Sequence, residues 1–176
     1  ALPLIEELAA TTGESVNLGI RAGGDVLVVL DVPSEHPLRF QQTLGTRVPV
    51  HTSAMGKCLL AYTADPEREV DRLPPLTAVT ERTITAGAEL VAELERTRER
   101  GWALNDEERN PGVRAVAAPV LDADGTDREP EPAVVVACAE SVERHDRETG
   151  LLEQVLAHGA VVLEASTLPD EIEVHR

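Results

Sequence analysis

The stretch HTSAMGKCLLAY, residues 51–62, combines a His, a Ser, a Gly-Lys pair, a Cys and a Tyr. These side-chain types occur in catalytic, phosphate-binding and metal sites, so the structure that the stretch forms decides its chemistry. Ser53 is a favoured N-cap residue, and an apolar run with helix-forming residues follows it. The pattern therefore predicts a helix over residues 54–62 that begins after Ser53.

The start of this helix offers a place for a small anion. The backbone N–H groups of Ala54, Met55 and Gly56 lie in the first turn, where helical hydrogen bonds leave donors unpaired. The helix dipole adds partial positive charge, and Gly56 permits the close approach of a ligand such as a carboxylate. The alternative is that Ser53 only caps the helix and that water satisfies the other donors.

Three other chemistries fit the stretch less well. A phosphate-binding loop requires GxxxxGK[ST], whereas here the first Gly is missing and Cys58 follows Gly56 and Lys57. A zinc site requires a further Cys or His pair beside His51 and Cys58, and none is near in sequence. Cys58 is flanked by two leucines, which predicts a buried, unreactive thiol rather than a nucleophile with His51 as its base.

The composition excludes several classes of partner. A formal net charge of −16, from 32 acidic and 16 basic residues, repels nucleic-acid backbones and anionic membranes. No apolar run approaches the roughly 20 residues of a membrane span, and the opening ALPLIEELAA lacks the basic segment of a signal peptide. Two cysteines far apart indicate free thiols in a reducing compartment, so we expect a cytoplasmic protein without a metal or cofactor.

Apolar periodicity predicts an α+β fold. The strand-like segments come in hairpins and not in alternating strand–helix–strand units, which favours an antiparallel sheet with helices packed on its faces. The length of 176 residues suits one domain. In chain order the predicted elements are helix 1–12, strands 14–20 and 25–32 joined by RAGG, helix 54–62, a short acidic helix from Pro66, helix 88–100, strands 102–105, 113–122 and 133–140, and helix 151–165.

The charged residues at and between the predicted strands 102–105 and 113–122 are expected to have structural roles. Glu107 and Glu108 are adjacent acids, which point to opposite faces in a strand and are usually solvated in a turn. We therefore expect solvated side chains and not a general acid–base pair. Arg114 is expected to form a structural ion pair with Glu108.

Four segments, in this order and spacing, resemble IclR-family transcriptional regulators. They are RVPVHTSAMGKCLLAY (47–62), TERTIT (80–85), ELERTRERGWALNDEE (93–108) and PGVRAVAAPVLDADG (111–125). The resemblance runs from about residue 4 to about residue 166 and is to the family's C-terminal effector-binding domain. It implies a GAF-like fold in which residues 1–12 end a linker helix, residues 13–166 form the effector-binding domain and residues 167–176 are a frayed tail.

The resemblance also implies partners. Family members bind DNA through an N-terminal winged helix-turn-helix, which does not appear in this sequence, and they assemble as dimers or dimers of dimers. We therefore expect a bacterial ligand sensor, not an enzyme, that forms a homo-oligomer and contacts DNA only through that missing domain. A small carboxylate is the expected effector, and no membrane partner is expected.

The resemblance assigns effector-binding positions residue by residue. Family positions that are often Asp, Cys or Ser hold asparagine or alanine here, and each lost hydrogen bond weakens the binding of a very small oxo-acid. The pattern predicts a larger, more apolar pocket and therefore a carboxylate with an apolar body. The assigned residues are Phe40, Val48, Ser53, Ala54, Met55, Gly56, Asn105, Val113, Ala115, Ala137 and Ala139.

Two other functions stay open from the sequence. One is a structural dimerisation module without a ligand, which a dry and undersized cavity would favour. The other is a cysteine-dependent enzyme that uses Cys58 or Cys138, which fast thiol alkylation and turnover of a small acid would support. The SAMG helix start favours a sensor over a dimerisation module, and the lack of a polar triad argues against the enzyme.

Overall fold

The helices and strands follow the predicted order, with one short strand added. A computed structural model describes residues 2–35 and 43–120 and the backbone of residues 134–141. The helices are α1 (Leu2–Thr12), α2 (Ala54–Ala61), α3 (Pro66–Asp71) and α4 (Gly87–Arg100). The strands are β1 (Ser15–Ala22), β2 (Asp25–Val32), β3 (Arg47–Pro49), β4 (Ala103–Asp106), β5 (Val113–Val120) and β6 (Val134–Ser141). The helix predicted over 151–165 and the tail 167–176 lie outside the described residues.

The strands form one antiparallel sheet in the order β3-β2-β1-β6-β5-β4. β1 and β2 are a hairpin whose turn includes Gly23 at φ +69°, a conformation that glycine adopts without steric cost. β6 pairs with both β1 and β5, so strands that are distant in sequence meet at the centre of the sheet. The predicted α+β fold with an antiparallel sheet is confirmed.

A β-bulge in the first hairpin divides β2 between the two faces of the sheet. Leu18 pairs with Leu30, but the next residue, Gly19, pairs with Val28, so the register skips Val29. Because alternate residues of a strand point to opposite faces, the extra residue reverses the orientation of the positions beyond it. Val28 consequently packs in the core under α2 and α4, whereas Leu30 packs in the core under α1.

Each face of the sheet carries a hydrophobic core. On one face α1 contributes Ile5, Leu8 and Ala9, which pack with Val16 and Leu18 of β1. The opposite face carries the larger core, beneath α2 and α4. Its buried members are Val26, Val28, Val50, Ala54, Met55, Cys58, Leu59, Leu60, Ala61, Val70, Leu90, Leu94, Ala103 and Ala117.

The sequence does not predict β3. It spans Arg47–Pro49 and pairs with the first residues of β2 at the edge of the sheet. Three residues that end in proline give too short an alternation to be recognised as a strand. β3 leads directly into a 3₁₀ turn, Val50–Thr52, and together they deliver the chain to the start of α2.

The helix ends follow capping signals in the sequence. Asp65 caps α3, since its side chain accepts a hydrogen bond from the Arg68 N–H at 3.0 Å, and Pro66 is the first helical residue. α4 ends at Gly101, whose φ of +85° is left-handed and whose N–H donates to the Thr97 carbonyl. The predicted start of α3 and end of α4 are therefore confirmed.

Candidate functional site

The start of α2 has the capped geometry that the sequence predicts. The Gly56 N–H donates to Ser53 Oγ at 3.0 Å, and the Lys57 N–H donates to the Ser53 carbonyl at 3.0 Å as the first helical bond. Ser53 is thus the N-cap. Helical hydrogen bonding provides no intrahelical acceptor for the remaining first-turn donors, the N–H groups of Ala54 and Met55. Both of these residues are buried.

A close backbone contact fixes the direction in which α2 leaves the 3₁₀ turn. A Cβ placed on Gly56 would lie 2.2 Å from the Val50 carbonyl oxygen and 2.3 Å from Val50 Cα. Only glycine fits there, because both neighbouring atoms belong to the backbone and cannot rotate away. Gly56 is predicted to admit a ligand, but in the structure Val50 occupies that space.

Asn105 ties β4 to the residue before the cap. Its Nδ2 donates to the Thr52 carbonyl at 3.0 Å, and its Oδ1 accepts from the Glu108 N–H at 2.9 Å. The side chain is buried, and an amide supplies the donor and the acceptor at once. Asn105 therefore lies beside the α2 N-terminus, as its predicted role requires, but its polar atoms bind the chain's own backbone.

A buried ion pair joins α2 to the turn after β4. Lys57 Nζ donates to both carboxylate oxygens of Glu108, at 2.5 and 2.7 Å, and the two residues are 0% and 7% exposed. Burial lowers the pKa of Lys57 and raises the pKa of Glu108, because loss of water penalises both charged forms, while their mutual attraction opposes both shifts. The expectation of a solvated Glu108 is wrong, since the turn folds this side chain onto α2.

Arg114 binds Asp106 and not Glu108, so the predicted ion pair is wrong. Asp106 is paired with Arg114 in the β4–β5 ladder, and the Arg114 guanidinium donates to the Asp106 carboxylate. Arg82 Nη1 donates to the same carboxylate at 2.5 Å. Directly paired residues of antiparallel strands share a face, whereas Glu108 lies beyond the end of β4. The strand register thus places Arg114 beside Asp106.

The surroundings of His51 and Cys58 indicate structural roles for both residues. Cys58 is fully buried, and burial raises the pKa of its thiol, so the prediction of a buried Cys58 is confirmed. His51 Nε2 lies 3.1 Å from the carbonyl oxygen of Thr77. Over the part of the chain that the structure describes, no three His, Cys, Asp or Glu side chains are placed to hold a metal ion.

Strand pairing brings several predicted pocket positions into register. Asn105 pairs with Ala115, and Ala115 pairs with Ala139, so these positions form one row across β4, β5 and β6. Ala117 and Ala137 belong to a neighbouring row. Ala115 and Ala117 contact the core beneath α2. The structure therefore places small apolar residues on the strands next to the predicted anion site.

The other predicted positions lie on β3, at the start of β5 or outside the described residues. Val48 is buried on β3, the edge strand opposite the one that carries Asn105. Val113 is half-buried and begins β5. Phe40 lies outside the described residues. The structure thus places Asn105 and Ala115 on adjacent strands and Val48 on the opposite edge strand.

A separate cavity of about 170 Å³ lies between the β1–β2 turn and the segment after α3. None of the predicted effector-binding residues that the structure describes lines it, so this cavity is not the predicted pocket. It is lined by Gly24, Asp25, Pro49, Val50, His51, Leu73, Pro74, Pro75, Thr77 and Val79.

The sequence contains weak signals for two features that it does not predict. Lys57 stands in an apolar helical run, which indicates that it needs a buried acidic partner such as Glu108. Asn17 stands between Val16 and Leu18 in an apolar strand, where period-two alternation normally marks a solvent-facing position. In the structure a helix covers that face, so Asn17 is buried.

Residues 1–162 match the family described as "Bacterial transcriptional regulator IclR C-terminal". The chain belongs to the IclR family. Its relatives include the HTH-type transcriptional regulator BhcR of Paracoccus denitrificans, 40% identical over 71% of this chain and 45% of the relative. They also include the transcriptional repressor IclR of Escherichia coli, 30% identical over 93% of this chain and 57% of the relative. The chain therefore spans about half the length of these curated relatives.

A solved structure similar to this IclR-family domain is the inducer-binding domain of PobR from Acinetobacter, a double mutant in complex with 3-hydroxybenzoic acid. It has a TM-score of 0.75 and 25% identity, over 88% of this chain and 88% of that chain. The predicted family and fold are confirmed. The relatives are named as transcriptional regulators and not as enzymes, which agrees with the prediction of no enzymatic activity. No helix in the described ranges is long and apolar enough to cross a membrane.

Proposed function

We propose that this IclR-family chain is an effector-binding and oligomerisation domain, and that it binds a small carboxylate with an apolar body at the start of α2. The observation that carries the proposal is a helix N-terminus held rigidly by its own chain. Ser53 caps it, and Gly56 packs directly on Val50. Asn105 holds the carbonyl of the preceding residue, Thr52. Such a fixed end binds an anion without the cost of ordering it first.

The charge distribution around α2 supports an anion at the backbone donors. The N–H groups of Ala54 and Met55 and the helix dipole both favour negative charge. The nearest cation in sequence, Lys57, is bound at close range by both carboxylate oxygens of Glu108. A carboxylate ligand would therefore be held by backbone N–H groups rather than by a lysine side chain.

The residues beside this helix end support an apolar ligand body. Ala115 and Ala117 present methyl groups to the face that α2 covers. Ala137 and Ala139 follow in the same ladder positions on β6. The PobR domain, which is similar over most of this chain, is described in complex with an aromatic acid, and this supports an acid of comparable size here.

The remaining parts of the proposal concern the whole regulator. Residues 1–12 would end a linker helix, 13–166 would form the effector-binding domain, and 167–176 would be a tail. The domain would form a homodimer or a dimer of dimers in the cytoplasm. Effector binding would favour one of two arrangements of the oligomer. This shift would alter DNA binding by an N-terminal domain like the one expected for IclR-family regulators.

A thermal-shift experiment with paired ligands tests the proposal. Glyoxylate, pyruvate, hexanoate and benzoate are compared with hexanamide and benzamide, which keep the apolar bodies but carry no charge. A ligand that binds only the folded state stabilises it by RT ln(1 + [L]/Kd), about 2.7 kcal/mol at 100 times Kd. We expect hexanoate or benzoate to raise the Tm and the matching amide to leave it unchanged.

A pair of variants places the ligand at α2. Ala54→Asp adds a negative charge at the helix start and is expected to abolish the shift, whereas Ala10→Asp adds the same charge on an exposed position of α1 and is expected to keep it. Equal shifts from acids and amides would contradict the anion site. No shift from any acid would contradict a carboxylate effector and leave either a non-acid effector or a domain that only holds the oligomer together.

A further inference from the structure

The backbone of Glu107, in the turn between β4 and β5, is left-handed. Its φ is +60°, and within the described ranges no other residue except glycine has a positive φ. This conformation crowds the Cβ of an ordinary residue against the backbone, whereas glycine adopts it freely. A left-handed glutamate therefore persists only where its surroundings hold it, and such positions are concentrated at functional sites.

Three hydrogen bonds hold Glu107 in this conformation. Its N–H donates to the Val113 carbonyl at 3.1 Å. Its carboxylate oxygen Oε2 accepts from the Gly112 N–H at 2.8 Å, and its carbonyl accepts from the Thr80 hydroxyl at 2.8 Å. The backbone and the side chain of Glu107 are thus both fixed by the neighbouring chain.

The peptide between Glu107 and Glu108 joins the turn to two other parts of the chain. Its carbonyl binds the Thr80 hydroxyl of the TERTIT segment, and its N–H donates to Asn105 Oδ1 at 2.9 Å. A change of φ at Glu107 to the usual value of about −60° would rotate this peptide by about 120°. Both groups would then point away from their partners.

The orientation of this peptide decides how the turn contacts α2. Asn105, whose Oδ1 is held by the peptide N–H, donates through Nδ2 to the carbonyl of Thr52, the residue before the N-cap. Glu108, the next residue, places both carboxylate oxygens on Lys57 Nζ, at 2.5 and 2.7 Å. The left-handed backbone of Glu107 therefore stands behind both polar contacts that the turn makes at the start of α2.

We infer that Glu107 is a positioning residue for the start of α2, and that its left-handed backbone, rather than its carboxylate, sets the affinity for a carboxylate effector. The inference rests on the proposed carboxylate site at α2 and adds a residue that acts through Asn105 and Glu108. With a usual φ at Glu107 these two side chains release α2. Only the fraction of molecules with the left-handed turn then binds the acid, so the apparent Kd rises as that fraction falls.

A pair of substitutions separates the backbone of Glu107 from its carboxylate. Glu107→Gly and Glu107→Ala both remove the side-chain bond to Gly112, but only glycine adopts the left-handed conformation without steric cost. Isothermal titration measures the Kd of benzoate and of hexanoate. We expect Glu107→Gly to stay within about 2-fold of the unaltered chain, and Glu107→Ala to bind roughly 3- to 10-fold more weakly. Glu107→Asn should bind more tightly than Glu107→Ala, because asparagine enters the left-handed region more readily.

Glu81 supplies the matched control pair. It is exposed in the TERTIT segment, and its φ is not positive. Glu81→Gly and Glu81→Ala are therefore expected to bind each acid with the same Kd as the unaltered chain. The Tm of each ligand-free variant is measured beside its Kd, so that a change in affinity is separated from a change in stability.

The role of Glu107 and the carboxylate site fail in different ways. Equal weakening in Glu107→Gly and Glu107→Ala would overturn the backbone role and assign the effect to the carboxylate. A lower Tm for Glu107→Ala with an unchanged Kd would overturn it in favour of a turn that only stabilises the fold. Both of these results leave the carboxylate site standing. Absence of binding of every acid by the unaltered chain overturns both proposals.

Discussion

Gly56 is the residue on which the geometry of the candidate site depends most directly. Its missing side chain lets the first turn of α2 pack against the backbone of Val50. The same packing fixes the orientation of the first-turn N–H groups, which are the proposed anion donors. The absence of a side chain at Gly56 thus shapes the site, although Gly56 contributes no polar side chain to it.

Gly56→Ala is expected to destabilise the chain by more than about 2 kcal/mol, because a Cβ would meet Val50 backbone atoms at 2.2–2.5 Å and force α2 to shift. Urea unfolding followed by circular dichroism measures the change. Gly87→Ala is the matched control, since its Cβ would meet only Val70 Cγ1 at 3.5 Å and alanine favours helix. A Gly56→Ala variant as stable as the parent chain would show that the contact does not fix α2.

The turn between β4 and β5 is linked to α2 and to the TERTIT segment by buried polar groups. Glu108 binds Lys57 of α2 through its carboxylate. The hydroxyl groups of Thr83 and Thr80 donate to the carbonyls of Glu108 and Glu107, at 2.6 and 2.8 Å. Through these bonds, three segments that are far apart in the sequence meet at one turn beside the start of α2.

A double-mutant cycle measures the Lys57–Glu108 link. Lys57→Met and Glu108→Leu are each expected to cost about 3–5 kcal/mol, because each leaves one buried charge without its partner. The double variant is expected to lose much less than the sum, since no unpaired charge remains. The pair Glu93–Arg96 is the control, because the Arg96 side chain is exposed, and Arg96→Met should cost less than about 1 kcal/mol. Additive costs at Lys57 and Glu108 would contradict a direct ion pair.

The whole domain is a single sheet with a core on each face, so its stability depends on both cores. α1 packs Ile5, Leu8 and Ala9 against β1, although it is expected to be only the end of a linker helix. β1 belongs to both cores at once, because its alternate residues face α1 and α2. Loss of packing under α1 is therefore expected to weaken the sheet on which the candidate site stands.

Leu8→Ala is expected to lower the free energy of unfolding by about 2–5 kcal/mol, because Leu8 is 3% exposed and its removal leaves a cavity against the sheet. Glu7→Ala, on the exposed side of α1, is expected to change it by less than about 0.5 kcal/mol. Urea unfolding measures both. An unchanged stability for Leu8→Ala would mean that α1 is an independent linker that does not contribute to the domain.

Local signals in the sequence determined the order and the ends of most elements. Ser53, Asp65 and Gly101 mark helix ends, because caps act on backbone groups within three or four residues. Apolar runs rich in β-branched residues mark β1, β2 and β5, and the spaced motifs identify the family. β3 was not predicted, because three residues are too few to show an alternation of apolar and polar positions.

Tertiary structure alone decided which side chains meet. Lys57 and Glu108 are 51 residues apart, and the crossing of α2 over the sheet removes both from water together. The strand register gives Arg114 to Asp106, and α2 buries Asn17 in a position that alternation would assign to solvent. Sequence patterns report what each residue does to its near neighbours in the chain. Burial and charge pairing depend on distances through space, and the packing of α2 on the sheet sets those distances.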